Sequence, residues 1–132
     1  ACDGTGYGTD GKIWGGEMFK IKSEKFKVKR WDRIGHLDNQ TLVGGDLAIQ
    51  EPARMLIAIL NKFLSKEEIY RFVKKNYTKN EFELLHNQLG QNFNCIETSS
   101  TGRVLDAISI LLGFCGNKRK YKQVSLIHYH QL

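Results

Sequence analysis

Proline occurs once, at position 52, and cysteine three times in the 132 residues of this chain. Cys2, Cys95 and Cys115 lie far apart, form no C-x-x-C pair and are odd in number, which argues against a disulfide framework and a closed zinc site. They read as small apolar fillers in a protein of the reducing cytoplasm. No window approaches the roughly 18 consecutive apolar residues of a membrane span. The start, Ala1-Cys2-Asp3-Gly4, has neither the basic lead nor the apolar stretch of a signal peptide, so no membrane partner is expected. Nucleophile elbow and H-E-x-x-H are both missing, and no Ser, Cys or Thr is visibly coupled to a base, so hydrolase and protease readings lack support.

What is present suffices for one soluble domain or part of one: 41% apolar residues, with seven Phe, five Tyr and two Trp to fill a core. The formal charge is +6, and many of the cations fall between Lys12 and Arg33. Such a cluster can attract nucleic acid, nucleotide or an acidic partner. It can equally be the wet face of a hairpin, because Phe19 and Ile21 alternate with Lys20 and Lys22, and Phe26 and Val28 with Lys27 and Lys29. Lysines placed there also discourage edge-to-edge pairing. The hairpin reading is preferred, and neither DNA nor RNA is expected as a partner.

Along the chain, residues 1–11 are too rich in glycine and aspartate for a strand and read as a loop, whereas residues 12–37 read as a hairpin turning near Ser23-Glu24. After Gly44-Gly45-Asp46 the period becomes helical, with Ile49, Pro52, Ala53, Leu56, Ile57 and Leu60 on one stripe. Capping-box spacings, Ser65 with Glu68 and Thr78 with Glu81, predict helices over 66–76 and 79–89, the second closed by Gly90. Residues 91–101 read as a polar loop. A last helix over 102–112 is capped by a residue of 98–101 and stopped by Gly113. Val104, Ile108 and Leu111, widened by Leu105 and Leu112, form its apolar stripe, with Arg103, Asp106 and Ser109 on the other side.

Three features could carry chemistry. The first is the glycine run Asp3-Gly4-Thr5-Gly6-Tyr7-Gly8-Thr9-Asp10-Gly11, which can bring backbone N–H groups close around a phosphate or can simply turn the chain between strands. It matches neither G-x-G-x-x-G nor G-K-[ST]. The second is Asp3, able to ligate a metal, to orient a ribose or water, or only to fill a turn. The third is Asp106, either a ligand group or the partner of Arg103 on a solvated helix face. Of the histidines, His36 follows a strand, His86 sits on a helix, and His128 and His130 alternate near the end without a ligand motif.

Three blocks in register resemble the C-terminal part of the HypF carbamoyltransferases of hydrogenase maturation. They are Asp3-Gly4-Thr5-Gly6-Tyr7-Gly8-Thr9-Asp10-Gly11-Lys12-Ile13-Trp14-Gly15-Gly16-Glu17, then Leu42-Val43-Gly44-Gly45-Asp46-Leu47-Ala48-Ile49-Gln50-Glu51-Pro52-Ala53-Arg54-Met55, and Thr98-Ser99-Ser100-Thr101-Gly102-Arg103-Val104-Leu105-Asp106-Ala107. The likeness covers residues 1–121 and leaves 122–132 as a divergent tail. It implies a mixed α/β chain forming part of an actin-like, sugar-kinase-like domain akin to that of tRNA threonylcarbamoyl-transferring proteins, with an N-terminal loop and hairpin followed by helices. ATP or carbamoyl adenylate is the implied ligand, and the implied reaction hands a carbamoyl group to the C-terminal cysteine of a HypE-like partner during synthesis of the cyanide ligands of nickel-iron hydrogenases.

Residue by residue, the resemblance makes Asp3, Gly4, Thr5, Gly6 and Gly8 a phosphate-contacting turn. It makes Asp3 the carboxylate on the side of a divalent metal (zinc, iron or magnesium) and Asp106 the aspartate that holds the ribose. Glu17, Arg54 and Arg103 lie in the matched blocks without an assigned role. The family's metal-binding histidine pair falls before this segment, and a further glycine motif and a late aspartate fall after it. The implied activity is therefore that of a fragment, inactive alone. The alternatives are a non-catalytic module that binds nucleotide or a HypE-like partner, and a basic RNA-binding domain. A half-domain also exposes apolar surface, so self-association is expected.

Overall fold

The computed structural model describes residues 2–25 and 27–119, with the backbone alone for residues 2–5, 28 and 29. The elements are β1 (Cys2–Tyr7), β2 (Ile13–Glu24), β3 (Lys27–His36), β4 (Gln40–Val43), α1 (Leu47–Gln50), α2 (Ala53–Leu60), α3 (Lys66–Val73), α4 (Lys79–Gly90), β5 (Cys95–Thr98) and α5 (Thr101–Leu111). The tail from residue 122, with His128 and His130, lies outside the described residues.

The sheet runs β1-β2-β5-β4, and β3 pairs with the far half of β2. Two departures from the expected loops define it. The glycine-rich start is a strand, antiparallel to β2, with its register slipping between Cys2 and Gly6. Poor intrinsic strand formers are held there by pairing with β2, and the irregularity falls on the residues least able to keep a regular pleat. The polar stretch after α4 contains β5, which lies parallel to β2 through Ile13 and Thr98 and antiparallel to β4 from Cys95 to Thr98. Only four residues long, β5 becomes a strand because it has partners on both edges, which no local pattern announces.

The expected hairpin is β2 with β3, turning through Lys25, whose positive φ of 47° relieves the turn. It differs from expectation in being wet on both faces near the tip, where Ile21 and Trp31 are exposed beside Lys20, Lys22 and Arg30.

The expected stripe from Ile49 to Leu60 splits into α1 and α2. Glu51 precedes Pro52, and the ring clash that proline imposes on its predecessor drives Glu51 to φ −119°, ψ 83°, outside the helical region. Pro52 then starts α2, where a missing N–H costs nothing. Both capping boxes form as predicted, on Ser65 with Glu68 and Thr78 with Glu81. Gly90, however, stays inside α4. The left-handed residue that ends the helix is Asn92 (φ 52°), with Phe93 N–H donating to Gln88 O and Asn92 N–H to Leu89 O. Gly113 (φ 72°) closes α5 by the same pattern, with Phe114 donating to Ser109 O and Gly113 to Ile110 O.

One apolar core joins sheet and helices: Ile13, Leu42, Val43, Met55, Leu56, Ile57, Ile69, Val73, Phe82, Leu85, Ala107 and Ile110 are all buried in it. Each large side chain so buried contributes about 1.5–3 kcal/mol. Cys95 and Cys115 pack half-buried against this core, as fillers should, and burial raises the Cys95 thiol above its ordinary value. No described helix is long and apolar enough to cross a membrane.

Candidate functional site

The pairing of β2 with β5 sets the first and third motif blocks side by side. The β1–β2 turn closes with Gly8 N–H donating to Lys12 O (2.8 Å) and Gly11 N–H to Gly8 O (3.2 Å), and Gly11 takes φ 76°. Gly8 has a separate necessity: a Cβ there would stand 2.1 Å from the Trp14 ring. Among the described residues, a Cβ at Gly6 would meet nothing within 4 Å, so that backbone faces open space there. Residues 8–11 therefore are a tight turn. Asp3, Gly4 and Thr5 sit in β1 where its register slips, and their side chains lie outside the described residues.

From β5 the chain enters α5 through residues locked onto β2. Thr98 donates its hydroxyl to Ile13 O (2.9 Å) and accepts Ser100 N–H (3.0 Å), while Ser99 N–H donates to Ile13 O (3.0 Å). Ser100, buried, is the cap of α5 and accepts Arg103 N–H.

Glu17 occupies the junction. Its buried carboxylate accepts Gly15 N–H at 2.6 Å, Gly16 N–H at 2.7 Å, an Arg33 N–H at 3.0 Å and the Ser99 hydroxyl. Burial alone would raise its pKa, but these donors, Ser99 first, together hold it below the ordinary value. Arg33 lies over the Trp14 ring at 4.3 Å and also reaches Asp10 at 3.2 Å. Asp10 in turn accepts Trp14 Nε1–H (2.9 Å) and Lys12 N–H (3.1 Å), which with Arg33 outweigh its desolvation and lower its pKa.

The second carboxylate is Asp106. It pairs with Arg103 (3.0 Å) on its own helix, but not on a solvated face: Arg103, Asp106 and Ser109 are all buried, while Leu111 and Leu112 are exposed. A second guanidinium, Arg119, reaches the same Asp106 oxygen at 3.2 Å, and Arg119 N–H donates to Gln50 O. Periodicity could not reveal this inversion, because a polar stripe turns inward when its members neutralise one another.

The middle block forms a supporting corner. Gly44 (φ 87°) and Gly45 (φ 58°) make the turn after β4, and a Cβ on Gly44 would stand 2.9 Å from the Arg54 guanidinium. Arg54 is held by Glu51 (2.7 Å), which also accepts the Tyr77 hydroxyl (3.2 Å). Burial, foremost, raises the Tyr77 pKa. Of the other candidates, His36 bonds to Leu37 O, and His86 contacts Asn61 and the Phe82 ring. Among the described residues no three His, Cys, Asp or Glu side chains converge as a metal set.

A curled mixed sheet, backed by helices and carrying a glycine-rich hairpin beside a capped helix start, defines part of a Kae1-like domain. Residues 1–123 match the family described as "Carbamoyltransferase, Kae1-like Domain, second subdomain". The chain belongs to the HypF carbamoyltransferases. It is 48% identical over 120 residues to a probable carbamoyltransferase HypF of Methanocaldococcus jannaschii, covering 89% of this chain and 15% of that protein. It is 34% identical over 126 residues to a carbamoyltransferase HypF homolog of Cupriavidus necator, covering 96% of this chain and 31% of that protein. Two solved structures superpose on it. Full-length HypF in its phosphate- and nucleotide-bound form gives a TM-score of 0.80 at 30% identity, over 97% of this chain and 19% of that one. HypF of T. kodakarensis gives 0.74 at 37% identity, over 98% and 18%. The chain thus spans less than a third of the length of these relatives.

Proposed function

We propose that this chain forms part of the nucleotide cleft of an ATP-dependent carbamoyltransferase, holding ATP or carbamoyl adenylate while the carbamoyl group passes to the C-terminal cysteine of a HypE-like acceptor. The observation that carries the proposal is the β2–β5 pairing, which sets the glycine segment of β1 and the start of α5 in one corner of the fold. In that reading Asp3, Gly4, Thr5, Gly6 and Gly8 attend the phosphates and Asp106 the ribose. The open space at Gly6 favours close approach of a ligand, and a relative's phosphate- and nucleotide-bound form agrees with the ligand class.

The acceptor's thiolate would attack the carbamoyl carbon, the bond to the phosphate oxygen would break, and AMP would leave. A good leaving group asks the protein mainly for positioning and charge stabilisation. In the same reading Asp3 would stand on the side of a divalent metal, which when bound would polarise the carbamoyl oxygen.

Calorimetric titration of the chain with ATP and magnesium tests the reading. Saturable binding that weakens at least about tenfold in Asp106→Asn, the loss of roughly one charge-assisted hydrogen bond, is the expected result. A folded chain that takes up no nucleotide would leave a non-catalytic, partner-binding module as the description.

A further inference from the structure

We infer that Glu17 is a positioning residue: its buried carboxylate holds the glycine-rich hairpin and the lead into α5 in register, so that the two segments move as one. The inference rests on the nucleotide reading only for its consequence, that both segments meet the same ligand.

The contacts of Glu17 with the described residues point to this role. One carboxylate oxygen accepts the consecutive N–H groups of Gly15 and Gly16, fixing the backbone of β2 next to its pairing with β1. The other accepts Arg33 from β3 and the hydroxyl of Ser99, the residue just before the cap of α5. Three separate pieces of chain are thereby joined through one side chain. The approach is too close for a larger residue at the joint, since a Cβ on Gly16 would stand 2.4 Å from the carbonyl oxygen of Ser99. With both oxygens engaged by donors, Glu17 is poorly suited to take up a substrate proton, which separates it from a general base. Its effect on a ligand would pass through the amides and hydroxyls that it orients.

Amide hydrogen exchange on the purified chain, wild type against Glu17→Gln and Ser99→Ala, tests the inference alongside ATP titration of the same samples. Glutamine keeps the shape but presents an NH2 to groups that need an acceptor, removing bonds each worth about tenfold in an equilibrium. The expected result is faster exchange, by about tenfold, at residues 7–12 and at residues 98–103 together, with α3 and α4 unchanged and ATP affinity reduced by a similar factor. Ser99→Ala should reproduce the shared rise more weakly. Faster exchange confined to Gly15 and Gly16, a uniform rise that includes α3 and α4, or unchanged ATP affinity in a wild type that binds it would each overturn the inference. A wild-type chain that binds no ATP would sink the nucleotide reading instead, while the shared rise in exchange would still establish the joint.

Discussion

The two halves of β2 belong to one continuous strand and lie in different surroundings. In the root, Ile13 is 2% exposed, clamped between β1 and β5. Farther along the same strand, Ile21 is 61% exposed, with β3 as its partner. Between them the aromatic ladder Trp14–Phe19–Trp31, with ring centroids 6.0 and 5.2 Å apart, thins out into solvent. An alternating pattern therefore identifies a strand but not its burial. Burial depends on how many neighbours arrive from elsewhere in the chain.

The sharpest way to break that comparison is a matched pair of truncations. Ile13→Ala should lower unfolding stability by about 2–5 kcal/mol, the usual cost of emptying a core site. Ile21→Ala should stay within roughly 0.5 kcal/mol, as exposed substitutions do. Urea titration of both reads the difference, and equal losses would mean that the arm is as firmly packed as the root.

Glu17→Gln, at the boundary, should cost about 1.5–3 kcal/mol near neutral pH, since hydrogen bonds to an ionised group are the stronger kind. The sign with pH follows from its lowered pKa. A depressed carboxylate stabilises the fold above its ordinary value of 4.5, and that contribution fades as pH falls through the lower native value. The gap between wild type and variant should therefore close on acidification, as denaturant midpoints measured from pH 7 down to about 3 would show. A constant gap would mean that Glu17 acts by shape alone.

Smaller effects sharpen the contrast. Ser100→Ala removes the cap of α5 and should cost about 1 kcal/mol by the same titration. Trp31→Ala, in the arm, should cost less than about 1 kcal/mol, because Trp31 is 52% exposed and loses one edge-on contact with Phe19.

The features legible in the sequence are those fixed by a few neighbouring residues. Ser65 with Glu68, Thr78 with Glu81, the hairpin turn and the stop at Gly113 depend on bonds spanning three to five positions, and all formed. What failed to show depends on distant partners. Cys95 to Thr98 look like a polar loop until β2 and β4 flank them, and the glycine-rich start looks unstructured until β2 pairs with it. Asp106 looked solvated because helix periodicity does not say where Arg119 will come from. Glu17 stood in a recognised motif without a role, since Ser99, the group that explains it, lies 82 residues away.

The same separation bears on how the chain reaches its native state. Among the described elements β5 is the penultimate in sequence, yet it sits between β2 and β4 in the sheet, and Thr98 closes onto Ile13 across 85 residues. During synthesis, the β1–β2–β3 meander and β4 have no shared strand until residue 98 has emerged, leaving unpaired edges for as long as the helices take to be made. Closure of so long a loop is slow, and exposed edges in waiting favour pairing between chains. A central strand made after both of its neighbours thus leaves this sheet open to misassembly while the chain is being synthesised.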